Sequence, residues 1–317
     1  MQLKDNFNRE ISYMRISLTD LCNLRCRYCM PSDGVCKLSH EQIMSLEDVL
    51  ETVKIASELG IKKIRLTGGE PLVRKGLLWL CEEIKKIDAI EDLAITTNGT
   101  LLAPMASDLK SAGVDRINIS LDSLNAVRYN QITRGGSFAD AMEGIGTALQ
   151  TGFKKVKINT VLMGGFNDDE IPAFVDLTKD YDIDVRFIEL MPMPGTSMPE
   201  EAYLPNSTVL EKMPTLESLG TEGVALVYKV PGYKGRVGLI SPLSCSFCKD
   251  CNRIRLTADG FVKPCLHSKD EISIKNLHGE DLKNKLSEAI MSKPEEHPVL
   301  NAENVSNSLR GMSKIGG

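Results

Sequence analysis

The chain has 317 residues, 42% of them hydrophobic and 26% charged. That length suits about two domains of roughly 150 residues or one large barrel, with a core that needs no disulfide staples. Its 38 basic and 43 acidic residues leave a net charge of −5, which argues against a general nucleic-acid binder. No run of 18 apolar residues is present and the polar N-terminus has no signal-peptide core, so a cytoplasmic location without membrane contact is expected. Nine cysteines, an odd number in such a chain, point to metal or catalytic roles rather than disulfides.

From residue 14 to about 190, strand-like and helix-like segments alternate. Strands are predicted at 14–18, 61–67, 93–97, 116–121, 155–161 and 185–189. The clearest helix is SLEDVLETVKIASELG (45–60), with Ser45 as N-cap, Asp48 as its capping partner and Gly60 as the stop. Others fall near 75–87, 105–112, 138–151 and 168–181. Strand-helix units of about 30 residues imply a parallel sheet, open or closed into a barrel. The Pro-rich segment 191–205 ends the alternation and reads as a domain boundary, giving domains at 1–200 and 201–317. A helix near 206–219, short strands, a cysteine-rich stretch and an irregular polar tail (292–317) follow.

The strands alternate where helix-covered parallel strands usually read as continuous apolar runs. Met14, Ile16 and Leu18 oppose Arg15 and Ser17, and Ile64 and Leu66 oppose Lys63, Arg65 and Thr67. Ile117, Ile119 and Leu121 oppose Arg116, Asn118 and Ser120; Val156 and Ile158 oppose Lys155, Lys157 and Asn159; Val185 and Phe187 oppose Arg186. Apolar faces directed at helices turn the basic faces into a shared interior. Buried cations without partners are costly, so an interior anionic ligand is predicted. For any single strand, one wet face of an open sheet would explain the pattern equally well.

Residues 22–30 read CNLRCRYCM, placing Cys22, Cys26 and Cys29 at C-x3-C-x2-C just after the first strand. Three thiolates on one loop can hold three corners of a [4Fe–4S] cube. A structural zinc site would need a fourth ligand, and the nearest histidine is His40. With Tyr28 before the last cysteine, and Gly68-Gly69-Glu70-Pro71 after the second strand, this loop resembles that of the radical S-adenosylmethionine (SAM) superfamily. The resemblance implies SAM bound at the open iron and a 5′-deoxyadenosyl radical that removes hydrogen from carbon.

A second set, Cys248, Cys251 and Cys265, has the spacing C-x2-C-x13-C, for which a zinc ribbon completed by Cys245 or His267 is the natural reading on spacing alone. Arg253 and Arg255, at i and i+2 on a strand, present two guanidiniums to one side, an arrangement suited to phosphate. The segment FCKDCNRIRLTADGFVKPCL, together with KKIRLTGGEPLVR, ITTNGTLL, INISLDSL, KVKINTV, RFIELMP and Gly316-Gly317, closely resembles the GTP 3′,8-cyclases of molybdenum cofactor biosynthesis. That resemblance implies an incomplete (β/α)6 TIM-like barrel whose open side is closed by the cysteine-rich C-terminal domain. It implies two [4Fe–4S] clusters, the second on Cys248, Cys251 and Cys265. Tyr28, Gly69, Ser120 and Met191 fall on SAM positions. Arg15, Arg65, Thr96, Lys157, Arg253 and Arg255 fall on GTP positions, with Lys63 and Arg186 at matching basic ones. Arg15, Arg253 and Arg255 are the catalytic candidates, and the Gly-Gly end reaches the active site. The product would be 3′,8-cyclo-7,8-dihydro-GTP, passed to a cyclic pyranopterin monophosphate synthase; an electron donor and a homodimer are also implied. Cys36, Cys81 and Cys245 read as bystanders, and His267 and His278 as packed or solvated. The alternatives are a radical SAM enzyme that modifies peptides and a non-enzymatic nucleotide-binding sensor.

Overall fold

The computed structural model describes residues 3–196, 198–301 and 303–316. Six parallel strands, β1 (Tyr13–Ser17), β2 (Lys63–Thr67), β3 (Asp92–Thr97), β4 (Arg116–Ser120), β5 (Lys155–Leu162) and β6 (Ile183–Glu189), lie side by side in chain order. The helices between them are α1 (Leu46–Glu58), α2 (Leu77–Lys85), α3 (Ala106–Ser111), α4 (Ala126–Thr133), α5 (Phe138–Thr151) and α6 (Ile171–Asp180). All six predicted strands form, with ends shifted by one or two residues.

The alternating faces settle where the core lies. Met14, Ile16, Ile64, Leu66, Ile117 and Ile119 are fully buried and belong to one cluster with Val53, Leu80, Ile84 and Leu102 from the helical side. Ser45 caps α1 by accepting from the Asp48 N–H at 3.0 Å. The helix α4 was not predicted; Asn125 starts it by accepting from the Val127 and Arg128 N–H groups.

The C-terminal residues flank the six barrel strands on both sides. They continue the sheet at both edges, in the order β12-β11-β10-β1 and β6-β9-β8-β7. After α7 (Ser207–Lys212) come β7 (Glu217–Glu222), β8 (Ala225–Lys229) and β9 (Arg236–Ile240), the last pairing parallel with β6. Then β10 (Arg253–Leu256) pairs parallel with β1, and β11 (Phe261–Lys263) and β12 (Ile272–Ser273) extend that edge. The helix expected over 206–219 stops at Lys212. Pro214 removes an N–H and disfavours helical geometry at Met213, and Gly223, at φ +66, turns the β7–β8 hairpin.

A final helix, α8 (Gly279–Met291), docks on α1. Glu51 accepts from the His278 ring at 2.8 Å and from the Gly279 N–H at 3.0 Å, and Lys283 pairs with Glu58 at 2.8 Å. Among the described residues no helix is long and apolar enough to cross a membrane.

Candidate active site

The loop after β1 is fixed by the segment after β2. The Leu18 N–H donates to Thr67 O, Gly69 N–H to Thr19 O at 2.7 Å, and Glu70 N–H to Leu21 O at 2.8 Å. A Cβ on Gly69 would lie 2.2 Å from Leu21 O, so only glycine permits this approach. The Glu70 carboxylate turns inward and accepts from Leu72 N–H, Thr97 Oγ1 and Asn98 N–H, tying the segment to β3. Within the loop, Cys29 and Met30 N–H both donate to Cys26 O. Tyr28 Oη donates to Asp122 Oδ2 at 2.8 Å, and α4 anchors the loop through Arg25 N–H to Thr133 O and Arg27 N–H to Ile132 O.

Strand β10 brings the second cysteine set to the same place. Cys248 and Cys251 precede it on a single 3-10 turn, closed by Cys251 N–H to Cys248 O at 3.1 Å, and Cys265 follows β11. Both cysteine triads line one cavity. The two sets differ electrostatically. Burial pushes the Cys26 thiol up, as do Asp122 and Cys29, and Cys29 is pushed up to about 12 by burial, Cys22 and Asp122. Burial acts on Cys248 and Cys251 too, but hydrogen bonds from His297 and Ser246 outweigh it and bring Cys248 to about 7, and Lys293 and the Arg253 N–H lower Cys251.

The donor sets fit iron–sulfur cubes better than single ions. Four sulfurs around one zinc lie about 3.8 Å apart, from a Zn–S length of about 2.3 Å. Among the described residues neither triad gathers three ligand atoms within 4.8 Å of one another; only Asp48, Glu51 and His278 do. A larger polynuclear cluster takes the wider spacing, and its cationic iron offsets the cost of ionising buried thiols.

Between the triads stands a wall of arginine. The register sets Arg15 beside Arg65 on β2 and beside Arg255 on β10. The Tyr13 ring lies 5.4 Å from the guanidiniums of both Arg65 and Arg253. Burial, with the neighbouring guanidiniums, lowers Arg15 well below its ordinary value, and burial brings Arg65 and Arg255 to about 10, so these two stay charged at neutral pH at a cost that an anion would relieve. Arg255 Nη1 donates to Gly316 O at 2.5 Å.

The cavity gathers Arg15, Cys22, Cys26, Tyr28, Cys29, Arg65, Gly69, Thr96, Ser120, Arg186, Met191, Cys248, Cys251, Arg253, Arg255 and Cys265. It does not gather Lys63, which is exposed at the start of β2, or Lys157, which is buried and pairs with Asp184 at 2.8 Å and Glu222 at 3.1 Å. Arg186 also faces Glu222, at 3.5 Å. The interior cations are therefore partly neutralised by carboxylates that strand alternation did not foresee. Cys245 and Cys36 are exposed and Cys81 is fully buried. His278 is exposed on Glu51, and His267 is packed against Ser306 Oγ at 3.0 Å. Gly316 sits at the site; Gly317 lies outside the described residues. Sequence reasoning missed Lys293 and His297, two further lining residues that follow α8 without a motif to mark them.

A parallel (β/α) sheet with a three-cysteine loop after β1, zipped to a Gly-Gly-Glu turn after β2, defines a radical SAM enzyme. Residues 16–178 match the radical SAM superfamily, and residues 183–299 match the family described as Molybdenum Cofactor Synthesis C. Among solved structures, Streptococcus suis SuiB superposes with a TM-score of 0.62 at 16% identity, covering 91% of this chain and 68% of that one. At that identity the likeness shows the fold alone. The chain is 50% identical to the GTP 3′,8-cyclase of Alkaliphilus oremlandii, over 99% of this chain and 100% of that protein. It is 49% identical to the GTP 3′,8-cyclase of Peptoclostridium acidaminophilum, over 99% and 98%. The chain belongs to the GTP 3′,8-cyclase family.

Proposed function

We propose that this chain converts GTP to 3′,8-cyclo-7,8-dihydro-GTP in molybdenum cofactor biosynthesis, with SAM and two [4Fe–4S] clusters as its cofactors. The observation that carries this reading is the placement of both cysteine triads on one cavity with a guanidinium wall between them. Cys22, Cys26 and Cys29 would hold the first cluster, and Cys248, Cys251 and Cys265 the second. When bound, the first cluster and SAM supply the 5′-deoxyadenosyl radical that removes hydrogen from ribose C3′, so that C3′ can join guanine C8.

The chain's own contribution is placement. Tyr28, held by Asp122, and Gly69, Ser120 and Met191 would seat SAM at the barrel loop. Arg65, Arg253 and Arg255 would take the triphosphate with Arg15, in a largely buried site where charge-assisted hydrogen bonds are strong. Thr96 reaches the same cavity. Lys157 and Arg186 would add to this seat when their shared partner Glu222 yields, and Lys63 would act from the barrel rim. Arg15, Arg253 and Arg255, nearest the second triad in the strand register, are the groups that would steady charge on the reacting nucleotide. Gly316 would close over the bound substrate. In this reading residues 1–200 are the barrel and 201–317 the unit carrying the second cluster. We further infer a cytoplasmic homodimer that takes electrons from a separate donor and hands its product to a cyclic pyranopterin monophosphate synthase.

The test is anaerobic. Reconstituted, reduced protein is given SAM with GTP or with ATP, and 5′-deoxyadenosine and nucleotide are followed by mass spectrometry. Matched formation of deoxyadenosine and loss of GTP, abolished for GTP by Cys248→Ala, supports the reading. Deoxyadenosine without GTP loss would remove GTP as substrate, and neither change in protein carrying intact clusters would favour a sensor.

A further inference from the structure

Tyr13 and Arg15 stand two residues apart on β1 and share its inward face. The register sets Arg15 in one layer with Arg65 and Arg255, and Tyr13 in the next, between Lys63 and Arg253. Tyr13 is 6% exposed. The guanidinium carbons of Arg65 and Arg253 each lie 5.4 Å from its ring centroid, and both arginines line the cavity. The ring is a shared support: its negative face attracts both cations and holds them side by side against their mutual repulsion.

That role leaves the hydroxyl unexplained. Tyr13 Oη is buried and has no hydrogen-bond partner among the described residues, and the same holds for Arg65 Nε and Arg253 Nε. Buried polar groups are nearly always paired, and a buried tyrosine hydroxyl usually finds a partner. A phenylalanine would support the two guanidiniums about as well without that cost. The Tyr129 hydroxyl is unpaired too, but its ring packs on Phe138 in the apolar cluster. Around Tyr13, by contrast, three unpaired groups gather at one ring beside the cavity. The two guanidinium nitrogens can only donate, and the phenol has one hydrogen to give. Their common partner must offer several acceptor oxygens and negative charge, as a phosphate does. A phosphate held by both guanidiniums lies against the ring they share, where the hydroxyl can reach it.

We propose that Tyr13 is a phosphate-binding residue of the nucleotide site, whose ring holds Arg65 and Arg253 together and whose hydroxyl donates to an oxygen of the phosphate they bind. The proposal rests on the reading that this cavity takes GTP. It assigns the hydroxyl to the phosphate chain, so a nucleoside gains nothing from it.

The experiment is anaerobic equilibrium dialysis of reconstituted, unreduced holoenzyme with GTP and with guanosine, for wild type, Tyr13→Phe and Tyr13→Leu. Iron content and the nucleotide-free thermal midpoint are measured in each. Tyr13→Phe keeps the ring and its two cation contacts and removes only the hydroxyl. It should weaken GTP binding by roughly 10-fold or more, the size of one hydrogen bond to a charged group, and leave guanosine binding unchanged. Its thermal midpoint should equal or exceed that of wild type, because the hydroxyl it lacks was unpaired. Tyr13→Leu should weaken GTP binding further, since the guanidiniums lose their common support. GTP binding unchanged in Tyr13→Phe, or weakened equally with that of guanosine, would overturn the proposal. Should Tyr13→Phe fail to assemble its clusters, a crystal structure of wild-type holoenzyme with GTP decides. Tyr13 Oη within about 3 Å of a phosphate oxygen is the expected result, and a hydroxyl turned to protein or solvent would overturn the proposal. Wild type that carries both clusters and does not bind GTP would instead overturn the nucleotide reading itself.

Discussion

Gly316→Ala isolates the contribution of the tail. Gly316 has φ +80, and an added Cβ would lie 2.6 Å from Thr67 Cγ2 and 3.4 Å from Ser17 Cβ. The left-handed backbone alone costs an L-residue about 1–2 kcal/mol. The methyl contact forces the tail or β2 to move as well. Opposing this is the Arg255–Gly316 hydrogen bond, worth about 1.5–3 kcal/mol for a charged donor. Strain and anchor are of similar size, so the tail should leave its seat in most molecules. With strain and anchor nearly balanced and a factor of ten for each ~1.4 kcal/mol of excess strain, cyclised product should fall by about 2- to 10-fold. Iron content and the thermal midpoint should stay near wild type, since the core is untouched. Product formation by mass spectrometry and limited proteolysis of the last residues would follow the two effects. Thr67→Ser in the same chain removes Cγ2 and keeps the hydroxyl, and should restore part of the activity because it relieves the overlap but not the backbone strain. Full activity in Gly316→Ala, or a double variant no better than the single one, would refute this account of the tail.

Two further outcomes follow from the site. Arg65→Gln and Arg253→Gln should each weaken GTP binding by about 10- to 100-fold, from the ~1.5–3 kcal/mol of a hydrogen bond to a charged group, while leaving guanosine binding nearly unchanged; equal losses for both ligands in anaerobic equilibrium dialysis would show that these guanidiniums do not hold the triphosphate. Burial raises the Glu70 carboxyl from 4.5 to about 7, against the three donors that favour its ionised form. The folded chain therefore keeps a proton that the unfolded chain releases, so cluster-free protein should lose stability as pH rises from about 4.5 to 7, by up to ~3 kcal/mol for this shift, and no further above it. In urea titrations Glu70→Gln should flatten that slope, and an unchanged slope would show that Glu70 is ionised throughout.

Five of the six barrel strands were legible because one face is apolar and the other polar and basic, a period-two signal that survives without any motif. The two cysteine sets and the Gly-Gly-Glu turn were legible because their spacing is local. What escaped were features decided by distant residues. Asp184 and Glu222 lie at a strand end and on a hairpin, and nothing local marks them as partners of Lys157. The first residues of β7, from Glu217 to Leu219, lay within a segment read as helix, although Pro214 was available as a breaker. Lys293 and His297 stand four apart directly after α8, a spacing that fits a solvated tail equally well. Only the fold shows that Arg9, some 240 residues from Cys248, ties this loop to that cysteine.

The basic interior is not uniform, and the difference bears on where a polyanion would sit. At the β5–β6 side, Lys157 and Arg186 already face carboxylates. At the β1–β2–β10 side, Arg65 and Arg253 form no ion pair among the described residues, and the Nε of each is buried without a hydrogen-bond partner there. Leaving such groups unsatisfied costs about 1–3 kcal/mol each, more for a charge. The stronger demand for an anion is therefore beside β10, next to the second cysteine set. The two carboxylates on the other side are not equivalent either. Both bind Arg236, Asp184 through both oxygens and Glu222 at 2.9 Å, but Asp184 is 4% exposed, whereas Glu222 has a side chain 45% exposed at the end of a strand that is solvent-facing throughout. Glu222 is thus the partner that can yield to a phosphate, and Asp184 the one that stays to hold Lys157 in place.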